Sequence, residues 1–172
     1  EKIKIIFREG GSVLPAAFYL LERTNDQTLP GLAADKIYTG ALKNEGDNLY
    51  LFDQNCQLQD YVLVSSGWSF GDNNLKRTME RRPNFDWQTS ANAGGTPKAE
   101  NSGGFYESFS GVGGAVAILP QKSVYLKILI SEIQIAGKES EKDDFVELYN
   151  PNGKDIDLTD WYLQRRTETG DE

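Results

Sequence analysis

The sequence predicts an all-β sandwich, and three observations carry that prediction. Short apolar and β-branched runs recur along the chain, as strands do. Turns rich in Gly, Pro and Asn separate these runs, and helical periodicity is weak, its best candidate being a short turn near residues 32–35. With 172 residues, of which 38% are hydrophobic, the chain is long enough to form one domain with a sizeable core.

Seven runs are predicted as strands. In chain order they cover residues 3–7, 17–23, 49–52, 61–64, 124–135, 145–149 and 156–163. The third and fourth runs flank the polar turn 53–57 and are predicted to form a hairpin. Cys56 lies in this turn and is expected to be an incidental turn residue. The Asn-Pro-Asn-Gly sequence at 150–153 is a second strong turn signal.

Two regions lack a strand pattern. Residues 83–104 are rich in Gly, Asn, Pro, Ser and Thr and are predicted to form a long ordered loop. Residues 102–123 are glycine-rich but also contain apolar side chains. They are predicted to be a linker whose apolar segment, including Ile118 and Leu119, packs against another part of the assembly.

The composition excludes most catalytic chemistry. The chain has no histidine and one cysteine, so it has no Ser-His-Asp or Cys-His site, no histidine metal ligand and no intramolecular disulfide. Residues 111–114 contain three glycines but lack the spacing and the Lys-Ser/Thr of a nucleotide-binding loop. We therefore predict that the protein is not an enzyme, and we assign it no catalytic residue, metal or cofactor.

The net charge disfavours nucleic acid as a partner, and the length of the apolar runs disfavours membrane insertion. A formal net charge of −8 makes the chain a poor general binder of nucleic acid, whose affinity comes from cations that neutralise phosphates. The strongest local basic patch combines Lys76–Arg77 with Arg81–Arg82. No apolar run approaches the roughly 20 residues that a membrane helix needs, so no membrane insertion is predicted.

Acidic residues cluster at 139–144 and at 155–160. Carboxylates are the ligands that Ca²⁺ prefers, but neither cluster has the spacing of a calcium loop. We expect solvated charge at a sheet edge, where it also discourages aggregation.

Two groups of motifs resemble the lamin-tail domain, an immunoglobulin-like β-sandwich. One group resembles the beginning of that domain; it comprises Ile130–Ile133, the sequence Phe-Val-Glu-Leu-Tyr-Asn-Pro at 145–151, and residues 156–161. The other resembles the version found in bacterial surface and secreted proteins; it comprises residues 19–23, 38–47, 78–81, Trp87, and the sequence Gly-Gly-Thr-Pro-Lys-Ala-Glu-Asn at 94–101.

The two groups occur in the reverse of the family's order. The resemblance therefore implies a circularly permuted domain, in which 1–101 is the C-terminal half, 102–123 the linker and 124–172 the N-terminal half. A polar turn would join the end of the chain to its beginning, and surface turns are where permutation is tolerated. The sandwich would close within one chain or by exchange of half-domains between chains; a further alternative is that the sequence is a window cut from tandem repeats of the domain.

Structural or assembly roles are predicted for Trp161, Glu147, Asn150, Tyr149, Trp87, Arg81, Ile118 and Leu119. Trp161 is expected in the core, as is common in immunoglobulin-like sandwiches. The Glu147 carboxylate is expected to hold nearby backbone amides or Arg81. Trp87 and Trp68 are expected to pack within loops.

These observations predict a structural or assembly module of an extracellular or cell-surface protein of bacterial type. Its expected partners are copies of itself, joined head to tail into a filament by exchange of half-domains, or neighbouring domains. The alternative is a protein- or carbohydrate-binding accessory module, whose signature would be exposed Trp68, Phe70 and Trp87. An intracellular scaffold is a further alternative, which the bacterial-type motif at 94–101 disfavours.

Overall fold

The computed structural model describes residues 4–8, 11–64, 67–105, 127–136 and 143–166. These ranges contain twelve strands and no helix, so the predicted all-β class is confirmed. The strands are β1 Lys4–Ile6, β2 Ser12–Val13, β3 Phe18–Arg23, β4 Lys36–Tyr38, β5 Asn48–Phe52, β6 Leu58–Val62, β7 Arg77–Arg81, β8 Trp87–Ala93, β9 Leu129–Gln134, β10 Phe145–Tyr149, β11 Ile156–Asp157 and β12 Tyr162–Arg166.

Two sheets form the layers of the sandwich. A four-stranded sheet has the order β1-β12-β5-β6, and a six-stranded sheet has the order β4-β3-β10-β9-β7-β8. Pairing is antiparallel throughout both sheets except between β3 and β4. A short third sheet pairs β11 with β2.

Strands from the two ends of the chain alternate in both sheets. β12 lies between β1 and β5, while β10 and β9 lie between β3 and β7. The segment 127–166 therefore supplies central strands to both layers, and the earlier part of the chain supplies the strands that flank them.

The core fills the space between the two large sheets. Strand alternation directs Leu49 and Leu51 of β5 and Leu163 of β12 inward, where they meet Val146 and Leu148 of β10. Trp161, immediately before β12, belongs to the same cluster and is 7% exposed. The predicted core position of Trp161 agrees with this placement.

The predicted hairpin is present. β5 pairs antiparallel with β6 through the turn 53–57. One Asp53 oxygen accepts the backbone amides of Asn55 and Gln57, and Cys56 is exposed with a φ of 60°. The turn is thus built by Asp53, and Cys56 occupies a left-handed position within it.

The predicted loop at 83–104 is wrong in its middle part, which forms β8. The sequence of β8 carries Gln, Ser, Thr and Asn in place of apolar alternation. Gln88 lies opposite Glu80 on the outer face of the sheet, and Gln88 and Ser90 are nevertheless buried and hydrogen-bonded. The helical turn expected near 32–35 is also absent, since those described residues lead directly into β4.

The expectation of solvated charge at 139–144 is wrong for Asp144, which is 1% exposed. Its carboxylate accepts the amides of Leu42 and Ala136 at 3.0 Å each and pairs with Arg23 at 3.1 Å. Burial raises the pKa of Asp144, while these three partners oppose that shift. Glu139 and Glu141 lie outside the described residues.

Replacing Trp161 with alanine is expected to lower the free energy of unfolding by about 3–5 kcal/mol, because deletion of a buried aromatic leaves a cavity. The matched control is Leu14→Ala, since Leu14 is 56% exposed. Chemical denaturation of both variants measures the difference. Equal and small losses would place Trp161 outside the core.

Candidate functional site

A row of buried glutamates crosses the outer face of the six-stranded sheet. Glu147 of β10 is directly opposite Glu132 of β9, which is directly opposite Glu80 of β7. All three residues are 0% exposed. Three carboxyl groups side by side in a low-dielectric setting require hydrogen-bond partners, because an unpaired buried polar group is costly.

Residues 94–105, which we call the strap, cover this row and supply those partners from the main chain. The Thr96 amide donates to Glu132 Oε1 at 2.9 Å, and the Lys98 amide donates to Glu147 Oε2 at 2.5 Å. The Ser102 amide and hydroxyl both donate to Glu80 Oε2, at 3.1 and 2.6 Å. Each glutamate thus holds one strap amide, and the Thr96 and Ser102 hydroxyls add two side-chain hydrogen bonds to Glu80.

The strap sequence suits this docking. Gly95 has a φ of +76°, and a Cβ at this position would collide with Glu132 Oε1. Pro97 separates the donors Thr96 and Lys98, and proline has no N–H to leave unpaired over the sheet. Asn101 fixes the far end of the strap, because its side-chain amide donates to the carbonyls of Arg81 and Ser131.

A fourth buried glutamate accepts a backbone amide from a neighbouring loop in the same way. Glu22 of β3 is 0% exposed and accepts the Thr28 amide at 3.1 Å. Asp35, at the end of the same loop, accepts the Leu20 amide and forms an ion pair with Lys98 at 3.0 Å. This half-exposed pair connects the loop to the strap and contributes at most about 1 kcal/mol.

Burial dominates the electrostatics of the row. It raises the pKa of Glu132 to about 8 and that of Glu147 to about 9, with the charge of Glu132 also raising the latter. Glu132 Oε2 and Glu147 Oε1 have no hydrogen-bond partner among the described residues. Burial therefore favours the protonated form of both carboxyl groups, and the strap covers them.

Arg81 pairs with a residue other than Glu147. Its guanidinium donates to Asp60 Oδ2 at 2.6 Å and to the Ile130 carbonyl at 2.9 Å, and it lies 4.3 Å from the Trp87 ring centroid. Asp60 also accepts the Ile130 amide at 2.7 Å. Of the two kinds of partner expected for Glu147, the structure therefore shows a backbone amide. Arg81 instead joins β6 of one sheet to β7 and β9 of the other.

The Tyr149-Asn150 pair closes the end of β10. Asn150 is 0% exposed; its amide donates to the carbonyls of Val13, Leu14 and Lys154, and its oxygen accepts the Asn152 amide. The Tyr149 ring packs on Phe18 with 4.9 Å between centroids. These contacts tie the turn 150–154 to the segment 13–18.

The remaining predicted residues divide between the core and the part of the chain outside the described ranges. Trp87 begins β8 and packs against the core beside Arg81, so its predicted place in a loop is wrong. Ile118 and Leu119 lie outside the described residues. Sequence reasoning missed Glu22, Glu80 and Glu132; the available signal was an acidic residue within each strand.

The predicted basic patch is largely engaged inside the molecule. Arg77 donates to the carbonyls of Ser90 and Ala91 and lies 4.1 Å from the Phe105 ring centroid. Arg82 donates to Gln88 Oε1 at 3.0 Å. In the described ranges, no cluster of three or more acidic or cysteine side chains could hold a metal ion, and no helix is long and apolar enough to cross a membrane.

A pocket of about 300 Å³ lies at one end of the sandwich. Trp68 and Phe70 line it together with Asp72, Arg77 and Met79. Phe70 is 39% exposed, whereas the Trp68 indole donates to the Lys43 carbonyl at 2.8 Å. Two of the three aromatics expected for a recognition surface therefore share one pocket, and Trp87 is not among its lining residues.

The sheet order, the core and the strap-covered glutamate row define an immunoglobulin-like β-sandwich that serves as a structural or interaction module. Among protein families, the Lamin Tail Domain matches residues 121–170 of this chain. The lamin tail domain is a non-catalytic immunoglobulin-like fold. Searches among curated proteins and among solved structures found no match.

Replacing Gly95 with alanine is expected to destabilise the protein by about 1–3 kcal/mol more than the same change at Gly94, because overpacking displaces the strap from Glu132. Gly94 is the matched control: its φ of +84° imposes similar backbone strain, but a Cβ on Gly94 would have no atom within 4 Å. Thermal or chemical unfolding compares the two. Equal losses would show that the close approach to Glu132 is unimportant.

The stability of the protein is expected to fall as the pH rises from about 5 to about 9. Below the ordinary glutamate pKa of 4.5, both states are protonated; above it the unfolded chain releases protons that folded Glu132 and Glu147 retain up to about 8 and 9. Glu147→Gln, which mimics the neutral carboxyl, is expected to flatten this fall, and Glu100→Gln, at an exposed carboxylate, is the control. Unfolding free energies across the pH range test this; identical slopes in both variants would contradict it.

Proposed function

We propose that the chain is a non-enzymatic structural and assembly module whose sandwich is completed by bringing 127–166 together with the earlier part of the chain. The observation that carries the proposal is the central position of β9, β10 and β12 in the two sheets. Without these strands, β3 and β7 in one sheet and β1 and β5 in the other would lose their shared neighbours.

The glutamate row supports the same conclusion. Glu132 and Glu147 come from the later segment, whereas the strap amides that bind them come from the earlier one. Separation of the two segments would expose the inner faces of both sheets, unpaired strand edges and a row of carboxyl groups, and exposed edges drive pairing with another chain. The contact between the segments is therefore required for folding, whichever chain supplies the partner.

We further propose that the order of the motifs is a circular permutation, with 1–101 and 124–172 as its halves. The family match at residues 121–170, at the end of this chain, supports that order. Because residues 102–105 belong to the strap, the rest of this linker, 106–123, would span roughly 60 Å when extended, at about 3.3 Å per residue, and so reach a neighbouring molecule. Exchange of the later half between copies would make head-to-tail contacts, which propagate into filaments unless they close a ring.

The proposed setting is a bacterial cell surface or extracellular space, supported by the likeness of residues 94–101 to the motif of bacterial surface and secreted proteins. The proposed partners are further copies of the chain or neighbouring domains, with neither nucleic acid nor membrane insertion. The net charge of −8 supports the exclusion of nucleic acid.

A second candidate function is recognition of a protein or carbohydrate as an accessory module. The pocket formed by Trp68 and Phe70 favours this candidate. Its volume of about 300 Å³ is at the lower end of the range for ligand sites. Loss of binding to an identified ligand on Phe70→Ala, without loss of assembly, would separate it from the first proposal.

Exchange can be tested by cross-linking chains that each carry one partner cysteine. Tyr50 of β5 is directly opposite Gln164 of β12, and cross-strand Cβ atoms lie about 4.5–5.5 Å apart. In a Cys56→Ser background, Tyr50→Cys chains are refolded together with Gln164→Cys chains and oxidised. Exchange is expected to yield a covalent dimer of twice 19.2 kDa; Lys154→Cys replaces Gln164→Cys in the control mixture.

Light scattering across a hundredfold dilution series measures the same assembly without substitutions. Exchange predicts masses above 19.2 kDa at the higher concentrations. A single 19.2 kDa species at every concentration, with no dimer in the cross-linking mixture, would show that the sandwich closes within one chain and would refute the exchange.

A further inference from the structure

The outer face of the four-stranded sheet is unlike that of the six-stranded sheet. No described segment covers it, and we call it the ring-edge face. Its outward side chains include Lys4, Tyr50, Phe52, Tyr61, Tyr162 and Arg166. Strand alternation places them outward, since Leu49, Leu51 and Leu163 between them point into the core. Tyr61 remains 50% exposed.

The rings on this face stack on one another along the sheet. Tyr162 and Phe52 have centroids 4.9 Å apart with an 18° angle between planes, and Phe52 and Tyr50 are 6.4 Å apart at 25°. A cation lies at each end of the row: Lys4 Nζ is 4.5 Å from the Tyr162 centroid, and the Arg166 guanidinium is 5.4 Å from that of Tyr50. The faces of the Tyr162, Phe52 and Tyr50 rings are therefore occupied by other rings or by cations.

This packing determines what a partner meets. Because the faces of these three rings are occupied, a partner meets their edges, and the edge of an aromatic ring is its electropositive part. Sugars and nucleobases bind aromatic side chains through free ring faces, which the stack of Tyr162, Phe52 and Tyr50 does not offer. The arrangement favours negatively charged groups that approach the ring edges, the tyrosine hydroxyls and the two cations.

The charged side chains of this face are also positive. Among the described residues, the outward positions of β1, β5, β6 and β12 carry Lys4 and Arg166 but no carboxylate. Asp53, in the hairpin turn that follows β5, uses its oxygens to accept hydrogen bonds from Asn55, Gln57 and Gln59. A cationic face on a chain of net charge −8 is complementary to an acidic partner.

Apolar side chains border the same face. Ile6 is 40% exposed, Leu58 38% and Leu63 59%, beside Tyr61. An adjoining apolar surface rimmed by charge is typical of a protein-binding site. We propose that the ring-edge face binds an acidic polypeptide segment that carries interspersed apolar side chains. The proposal is independent of half-domain exchange, because the same four strands form this face whichever chain supplies β12.

The contact is small. Four strands about 4.8 Å apart and five residues of about 3.3 Å each give a face of roughly 250–300 Å². This is well below the approximately 800 Å² that each partner buries in a stable complex. The binding is therefore weak for one module and gains strength when several modules meet one partner.

The test uses the full chain, isotopically labelled, and follows backbone amide shifts during titration. The probe is a short synthetic peptide of glutamate and leucine, and the comparison is the same peptide with lysine in place of glutamate. Only the acidic peptide is expected to shift amides of β1, β5, β6 and β12. Lys4→Gln is expected to weaken its binding about threefold to tenfold, as loss of a charge complementary to the partner would.

Two matched controls separate this site from general charge and exposure. Lys154→Gln removes another exposed cation, and Leu75→Ser is compared with Tyr61→Ser because Leu75 is 49% exposed. Neither control is expected to change the affinity, whereas Tyr61→Ser is expected to lower it.

Four results would overturn the proposal. The first is equal binding of the two peptides, and the second is a shift pattern confined to the strap or to the pocket of Trp68. The third is stronger binding of a neutral oligosaccharide or of single-stranded oligothymidine at the same amides. The fourth is concentration-dependent shifts without peptide that Lys4→Gln abolishes, which would make a second copy of the chain the occupant.

Discussion

The rest of the structure depends on the hydrogen bonds that buried glutamates accept from the strap amides. Glu80, Glu132 and Glu147 occupy three adjacent strands, and their burial without partners would cost several kcal/mol. The strap provides one backbone amide for each of them. Backbone donors make the contact depend on the path of the strap more than on its side chains, and this requires glycine at 95, where a Cβ would collide with Glu132.

The same interaction accounts for much of the acidic composition. Glu22, Asp35, Asp60 and Asp144 each accept a backbone amide from a different part of the chain. These carboxyl groups join loops to strands and one sheet to the other. The net charge of −8 is thus partly a consequence of internal hydrogen bonding, and it leaves room for an uncovered sheet face that carries cations instead.

The sequence was sufficient to predict most of the strands whose pattern is apolar, the hairpin turn and the core position of Trp161, but the run 156–163, predicted as one strand, divides into β11 and β12 around a turn. For the Glu147 carboxylate it predicted either backbone amides or Arg81 as partner, and the structure shows the Lys98 amide. β8 could not be predicted, because the buried residues Gln88 and Ser90 are polar and are satisfied only by contacts made after folding. For the same reason Asp144 resembled solvated charge: its partners Leu42 and Arg23 are more than 100 residues away in the chain.

Native-state hydrogen exchange of the strap amides tests the central claim most directly. If the glutamates hold the strap in place, the amides of Thr96, Lys98 and Ser102 exchange as slowly as those of β9 and β10, because release of the strap would then require opening of the sheet. Exchange of these three amides at rates near those of an unstructured peptide, while β9 and β10 stay protected, would contradict the account.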